Sequence, residues 1–451
     1  MNNLKSLDPK WAWSPFRPTA DRPWDQPMAA HLFRRAGFGA SLGQLKTAVE
    51  QDPLEVVAEM LNPVDLQQTT QAEFAEAVLA GGDPKKLGAW WVYVMLQTPT
   101  PLLEKMTLFW HGHFATSADK VTDARAMYAQ NALLRAHAIG DFRPLVHGIS
   151  RDPAMLIYLD SSTNRKAHPN ENFARELMEL FCLGEGHYSE RDVKELARCF
   201  TGWELRRERF RFNRYQHDTG EKTVLGKTGR FQEGEVIDHI LDQRAAPEFI
   251  ARKLIAYFIA DEPEPSEQLV APIASRLRES SWNIGDAVQH ILQSNLFFSP
   301  HAFARKVRSP VDLTIGLLRS LEGSTNATQL AGSLQELGQG LFFPPNVKGW
   351  DGGRTWINSS TLLGRANVIG RLVSDPKTRF GGGDLETYFG QLEAESNEQI
   401  VDILLSLTVA VPVPDAVKRK LVEVISRPGM RNARIADAIH ALGTLPEFQI
   451  A

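Results

Sequence analysis

The sequence predicts a mainly α-helical protein, one large multi-helix domain with a small β-hairpin flap and long ordered loops. Three observations carry this. Apolar residues recur at three- and four-residue spacing through most of the chain, β-branched alternating runs are scarce, and helix start and stop residues bracket the periodic stretches.

The elements follow in chain order. Residues 1–27, rich in Pro and Trp ("WAWSPFRPTADRPW"), read as an extended arm laid over the body with its tryptophans as anchors. A main helical domain over residues 28–380 opens with short helices. "PMAAHLFRRAGFG" ends at Gly37, "SLGQLKTAVEQ" starts behind a Ser cap, "PLEVVAEMLNP" lies between prolines, and "TQAEFAEAVLAGG" stops on a glycine pair. Longer patterns follow in "DPKKLGAWWVYVMLQT", "TPLLEKMTLFWHGHF", "TDARAMYAQNALLRAHAIGDFRPLVHGIS", "HPNENFARELMELFCLG" and "SERDVKELARCFTGW". From about 204 to 231 the pattern breaks. Arg alternates with Phe210 and Phe212, a turn signal falls at Asp218-Thr219-Gly220, and "KTVLG" follows, which reads as a hairpin flap. Helices resume at "EGEVIDHILDQRAAPEFIARKLIAYFI" and run through "PSEQLVAPIASRLRESSWNIGDAVQHILQ". A Trp/Gly loop spans about 341–361, the helix "LLGRANVIGRLV" follows, "RFGGGD" reads as a linker, and a C-terminal helical segment over 390–451 packs on the main domain.

Composition narrows the function classes. The 451 residues carry 50 Lys and Arg against 54 Asp and Glu, a formal charge of −4, so no global basic field argues for nucleic acid. Cys182 and Cys199 are the two cysteines, and both fall in apolar helical patterns, which fits reduced core thiols and excludes a Cys-type zinc site. No segment reaches about 18 uncharged apolar residues and no signal peptide is visible. A protein without a membrane span is expected, cytoplasmic as given and exported if a leader was removed.

Four motifs carry chemistry. In "HPNENFARELMELFCLG", residues 168–184, Phe173, Leu177, Leu180 and Phe181 share one helical face and Glu171, Asn172, Arg175, Glu176 and Glu179 the other. Glu171, Arg175 and Glu179 at i, i+4, i+8 spell a surface ion-pair ladder. Ala174, Met178 and Cys182 nevertheless widen the apolar face to that of a helix inside a bundle, where carboxylates need cations or a metal. In "FWHGHF" the helical pattern stops at Gly112. His111 and His113 cannot share a helix face at i, i+2, but from a turn they can converge on a metal; packed core histidines are the alternative. "YLDSSTNRK" adds Asp160 and Asn164 as oxygen ligands near Glu171 and Glu176.

In "RYQHDTGEKTVLGKTG", His217 and Asp218 sit beside the expected turn. Five residues separate Gly220 from Gly226 where a phosphate loop needs four, and no apolar strand precedes them, which excludes a Walker motif. The surrounding flap is locally basic, and Arg214 suits an anionic ligand. In "PPNVKGWDGGRTWINSST", Trp350 and Trp356 frame Asp351-Gly352-Gly353 beside Lys348. The glycines permit close backbone approach and the tryptophans can stack on a sugar, or the loop is simply pinned by its aromatics.

These strings resemble the bacterial family catalogued as domain-of-unknown-function 1800, through "HLFRRAGFGA", "FWHGHFATS", the run from "YLDSSTNRK" to "ARCFTGW", "FNRYQHDTGEKTVLG" and "FPPNVKGWDGGRTWINSSTLLGR". The resemblance spans about His31 to the C-terminus. It implies a protein often exported and often encoded beside a sulfatase-like partner family, domain-of-unknown-function 1501, and hence work on surface polysaccharide or another anionic glycan. The chain departs from the family pattern in having Phe181-Cys182 where Phe or His followed by Thr is expected, and in showing no export signal.

The leading expectation is a metal-dependent enzyme, hydrolase or transferase, acting on a glycan or other anionic substrate. His111, His113, Glu176, Glu179 and Asp160 are the candidate ligands of a divalent metal ion. His217 with Asp218 is the acid or base, and Arg175 with Glu171 completes the catalytic set. Lys348, Trp350, Asp351, Trp356 and Arg214 are the candidate substrate contacts. The rivals are a non-enzymatic binding or scaffold protein whose polar residues form a buried network, and a metal-dependent oxidoreductase.

Overall fold

Helix signals of the kind read above produce 23 α-helices against three two-stranded sheets among the described residues, so the protein is mainly α. The structure, a computed structural model, describes residues 4–62, 69–232 and 234–451. Pro63, expected to close the third short helix, and the first three residues of the arm lie outside them. The predicted caps form. Ser41 and Ser189 each make a capping box, Asn358 caps Ser359–Ser374, and Asp52, Asp123, Asp141 and Asp152 accept from first-turn N–H groups.

The arm is not simply extended. Pro9–Trp13 is helical behind an Asp8 cap, and the chain beyond it touches the body through a bridge between Pro15 and Ser294. Trp13 and Trp24 do anchor it, donating their indole N–H groups to Leu269 O and Ala48 O.

The flap departs from expectation in its turns. Two separate hairpins replace one: Trp203–Arg206 pairs with Arg209–Phe212, and Lys222–Val224 with Lys227–Gly229. Asp218-Thr219-Gly220 lies between the hairpins, and the chain reverses at Arg207-Glu208 and Leu225-Gly226. "RFGGGD" is likewise no free linker, because Arg379–Phe380 pairs with Gly323–Ser324 and Phe380 is buried. Pairing to a distant strand fixes a segment whose local sequence signals only flexibility.

Apolar stripes from most helices meet in one hydrophobic core, from Leu4 to Phe448. Polar groups inside it are satisfied by specific partners. Glu104, fully buried, accepts from Trp91 Nε1 at 2.7 Å and from Arg135 at 2.7 and 2.9 Å. No helix among the described residues is long and apolar enough to cross a membrane.

Candidate functional site

Three elements build a cleft of about 470 Å³. Helix Pro101–His113 presents Phe109, Gly112 and His113, helix Ala245–Phe258 presents Lys253 and Tyr257, and the Trp/Gly loop closes the side with Lys348, Trp350, Asp351 and Trp356. Asp261, Lys306 and Asp312 form its floor.

Two glycines set the loop on the helix. A side-chain carbon at Gly349, where φ is +79°, would lie 2.1 Å from the Gly112 carbonyl oxygen, and one at Gly112 would touch the Trp350 ring at 3.6 Å. The "HGH" and "KGW" motifs therefore meet through the backbone, with Trp350 seated on Gly112.

Helix Pro101–His113 runs through Gly112 to His113, so the expected turn between the histidines is corrected. At 100° per residue the two rings point to opposite sides. His111 faces Trp91, Phe342 and Trp350, and its Nε2 accepts the Phe342 backbone N–H at 3.2 Å. Burial alone lowers its pKa to about 3. His113 lies among Phe109, Phe181 and Phe249. Its Nε2 lies 3.0 Å from the Phe181 carbonyl, which can only accept, so Nε2 carries the proton and Nδ1 accepts from Lys253 Nζ at 3.1 Å. Burial, with the Lys253 charge, keeps this imidazole neutral.

The remaining predicted ligands do not join them. Asp160, in a left-handed conformation, pairs at the surface with Lys120 at 2.8 Å. Glu179 accepts from Tyr188 OH at 2.5 Å. Glu176 is half-buried, and its pKa is raised by burial and by Glu179 against the opposing charges of Arg175 and Lys348. No group of three or more His, Cys, Asp or Glu side chains among the described residues is placed to hold a metal ion. Since both nitrogens of His113 are engaged and His111 faces away, the residues do not fit the expected ligand set.

The catalytic set is also dispersed. Arg175 binds Glu190 at 2.6 and 2.9 Å and Glu171 at 3.4 Å, so these charges hold each other on the solvent side of the helix. His217 Nδ1–H donates to Thr201 O at 2.9 Å. Asp218 pairs with Arg198 at 2.7 Å, and that contact holds its carboxyl below the usual range. Arg214 lies on Tyr215 in the flap. None of these lines the cleft, whereas Lys348, Trp350, Asp351 and Trp356 all do.

Helix "HPNENFARELMELFCLG" reaches the site from behind. It starts at Asn172 as an α-helix and widens to a π-helix over Leu177–Cys182. Its end leaves the Phe181 carbonyl free to fix His113.

Charge in the cleft is unevenly matched. Lys306 pairs with Asp261, Lys105 with Asp312, and Arg354 with Glu262 at 2.8 Å. Arg35 and Arg308 lie behind the two floor carboxylates, and Arg35 spends its N–H groups on four backbone oxygens. Asp312, despite burial that favours its neutral form, is held below the usual carboxylate range by Lys105. Three buried cations, Lys105, Arg35 and Arg308, and the partly buried Lys306 thus surround two carboxylates. Lys253 and Lys348 add two cations that make no ion pair among the described residues, against Asp351. Lys253 is partly buried over the Phe249 ring at 4.8 Å, and burial lowers its pKa to about 8.

The pattern reading missed Lys253 and the floor. A signal existed: Lys253 stands between Phe249 and Tyr257 at i−4 and i+4, a lysine set in an apolar stripe.

Fold and site define a mainly helical protein with a tryptophan-walled cleft, lined by four basic and four acidic side chains and backed by the buried Arg35 and Arg308. The chain belongs to the family described as protein of unknown function (DUF1800), whose family model matches residues 31–450. No curated protein and no solved structure matches it.

Proposed function

We propose that the cleft is an active site for an anionic, sugar-sized substrate and that Lys253 is its proton-transfer group. The observation that carries this is the setting of Lys253, an amine on the cleft wall with a neutral imidazole for a partner and no carboxylate. An amine titrating near 8 offers both a free base and an ammonium donor close to neutral pH. His113 Nδ1 holds one N–H in either state, which leaves the lone pair of the neutral amine to other directions. Lys348, with Arg35 and Arg308 behind the floor carboxylates, favours a carboxylate or sulfate, and Trp350 and Trp356 suit the apolar face of a pyranose. Hydrolysis or group transfer, with Lys253 accepting a proton from water or a hydroxyl, is the chemistry these groups support.

The two tryptophans favour a second reading, binding of the same ligand without turnover. Trace acetylation of the intact protein, read by peptide mass spectrometry from about pH 6 to 11, tests the first. Lys253 should titrate about two units below the surface lysines and be protected by D-glucuronate. Ordinary titration without protection sinks the active-site reading, and protection with ordinary titration leaves the binding reading alone.

A further inference from the structure

Three local features at the tip of the Trp203–Phe212 hairpin work against its own stability. Arg206 stands directly opposite Arg209 in the register, a like-charge cross-strand pair. The two-residue connection places Arg207 at φ +51° and Glu208 at φ +61°, where Asn-Gly is the favoured sequence and side chains other than Gly, Asn or Asp are costly. Arg206, Arg207 and Arg209 are exposed and make no ion pair or side-chain hydrogen bond among the described residues. Local rules broken together at one exposed point mark a functional feature more often than an accident.

The rest of the hairpin extends the pattern. Alternation puts Glu204, Arg206, Arg209 and Arg211 on one face, with Trp203, Leu205 and Phe210 on the other. Glu204 is shared between Arg165 at 3.3 Å and Arg211 at 3.6 Å, so it leaves the tip arginines unmatched.

We propose that this hairpin tip is a docking site for an acidic polysaccharide, with Arg206 and Arg209 sharing one carboxylate or sulfate. A bound anion turns the like-charge pair from a repulsion into a bidentate clamp. The chain as a whole carries a charge of −4, so its field opposes a polymer as densely charged as nucleic acid, about one charge per 1.7 Å of duplex, more than a polymer with one charge per sugar or two. The inference shares the ligand chemistry of the cleft reading and extends it to a polymer, but it uses none of the cleft residues.

Binding of polygalacturonate oligosaccharides, compared with oligothymidylate of equal charge, tests it alongside thermal unfolding. The hairpin rules give Arg206→Thr/Arg209→Thr and Arg207→Asn/Glu208→Gly unfolding midpoints at or above that of the wild type, while affinity for polygalacturonate falls at least about tenfold in the first. Glu208→Gly alone keeps the arginines and should keep that affinity. Unchanged affinity in Arg206→Thr/Arg209→Thr overturns the docking site, and a lowered midpoint in that variant would show the arginines to be structural. Equal or tighter binding of oligothymidylate identifies the partner as nucleic acid and overturns the polysaccharide assignment. Failure of the cleft reading is seen separately, as absent D-glucuronate protection of Lys253 while the hairpin still binds polymer.

Discussion

Replacing Lys253 with Met should change stability in a direction that reverses with pH. In the folded protein burial lowers the amine from 10.5 to about 8, so the ammonium form is disfavoured relative to the unfolded chain. At about 1.4 kcal/mol per tenfold, that amounts to about 3 kcal/mol at pH 7, where the wild type must fold with the charge in place. The unfolded state binds more protons between about pH 8 and 10.5, so this cost is present below that window and fades as pH rises through it. Met does not titrate. It leaves His113 Nδ1 without a donor, about 1–2 kcal/mol, and loses the cation over Phe249, about 0.5 kcal/mol. The variant should therefore be about 1 kcal/mol more stable than the wild type at pH 7. Above about pH 10.5, where the wild-type amine is neutral, it should be about 1–2 kcal/mol less stable. Urea unfolding at the two pH values measures both differences. The same difference at both would refute a charge held at a cost, and with it the proton-transfer role argued for the amine.

Two further expectations concern the framework. Gly349→Ala puts a carbon against the Gly112 carbonyl and should cost about 3 kcal/mol or detach the Trp loop, whereas Gly226→Ala, at a hairpin turn with nothing within 4 Å, should cost about 1 kcal/mol through its positive φ alone. Equal losses in chemical denaturation would contradict the backbone contact. Glu104→Ala strands the Arg135 guanidinium and the Trp91 indole N–H and should cost about 3–5 kcal/mol by the same measurement. A loss under about 1 kcal/mol would place that pair among weak surface bridges.

Much of the fold was legible because helix ends are local. Ser189 and Asp192 lie three residues apart, and their reciprocal capping bonds depend on nothing beyond that turn. The ion pair between Glu171 and Arg175 was legible for the same reason, since four residues on a helix fix the separation. Hairpin turns were misplaced because Arg207 and Glu208 adopt left-handed conformations that their residue types discourage, while Asp218-Thr219-Gly220 has turn chemistry and merely links two hairpins.

The sequence by itself determined the helical class, the caps, and the loop whose Lys348, Trp350, Asp351 and Trp356 line the cleft. Tertiary structure alone decided which charged groups meet. His113 and Lys253 are 140 positions apart, and Lys105 and Asp312 are 207 apart. No periodicity encodes such pairs, because a helical pattern states which face is buried and leaves open which distant face will cover it. The two histidines illustrate the limit: one further residue of helix turned His111 and His113 from an expected pair into side chains with separate partners.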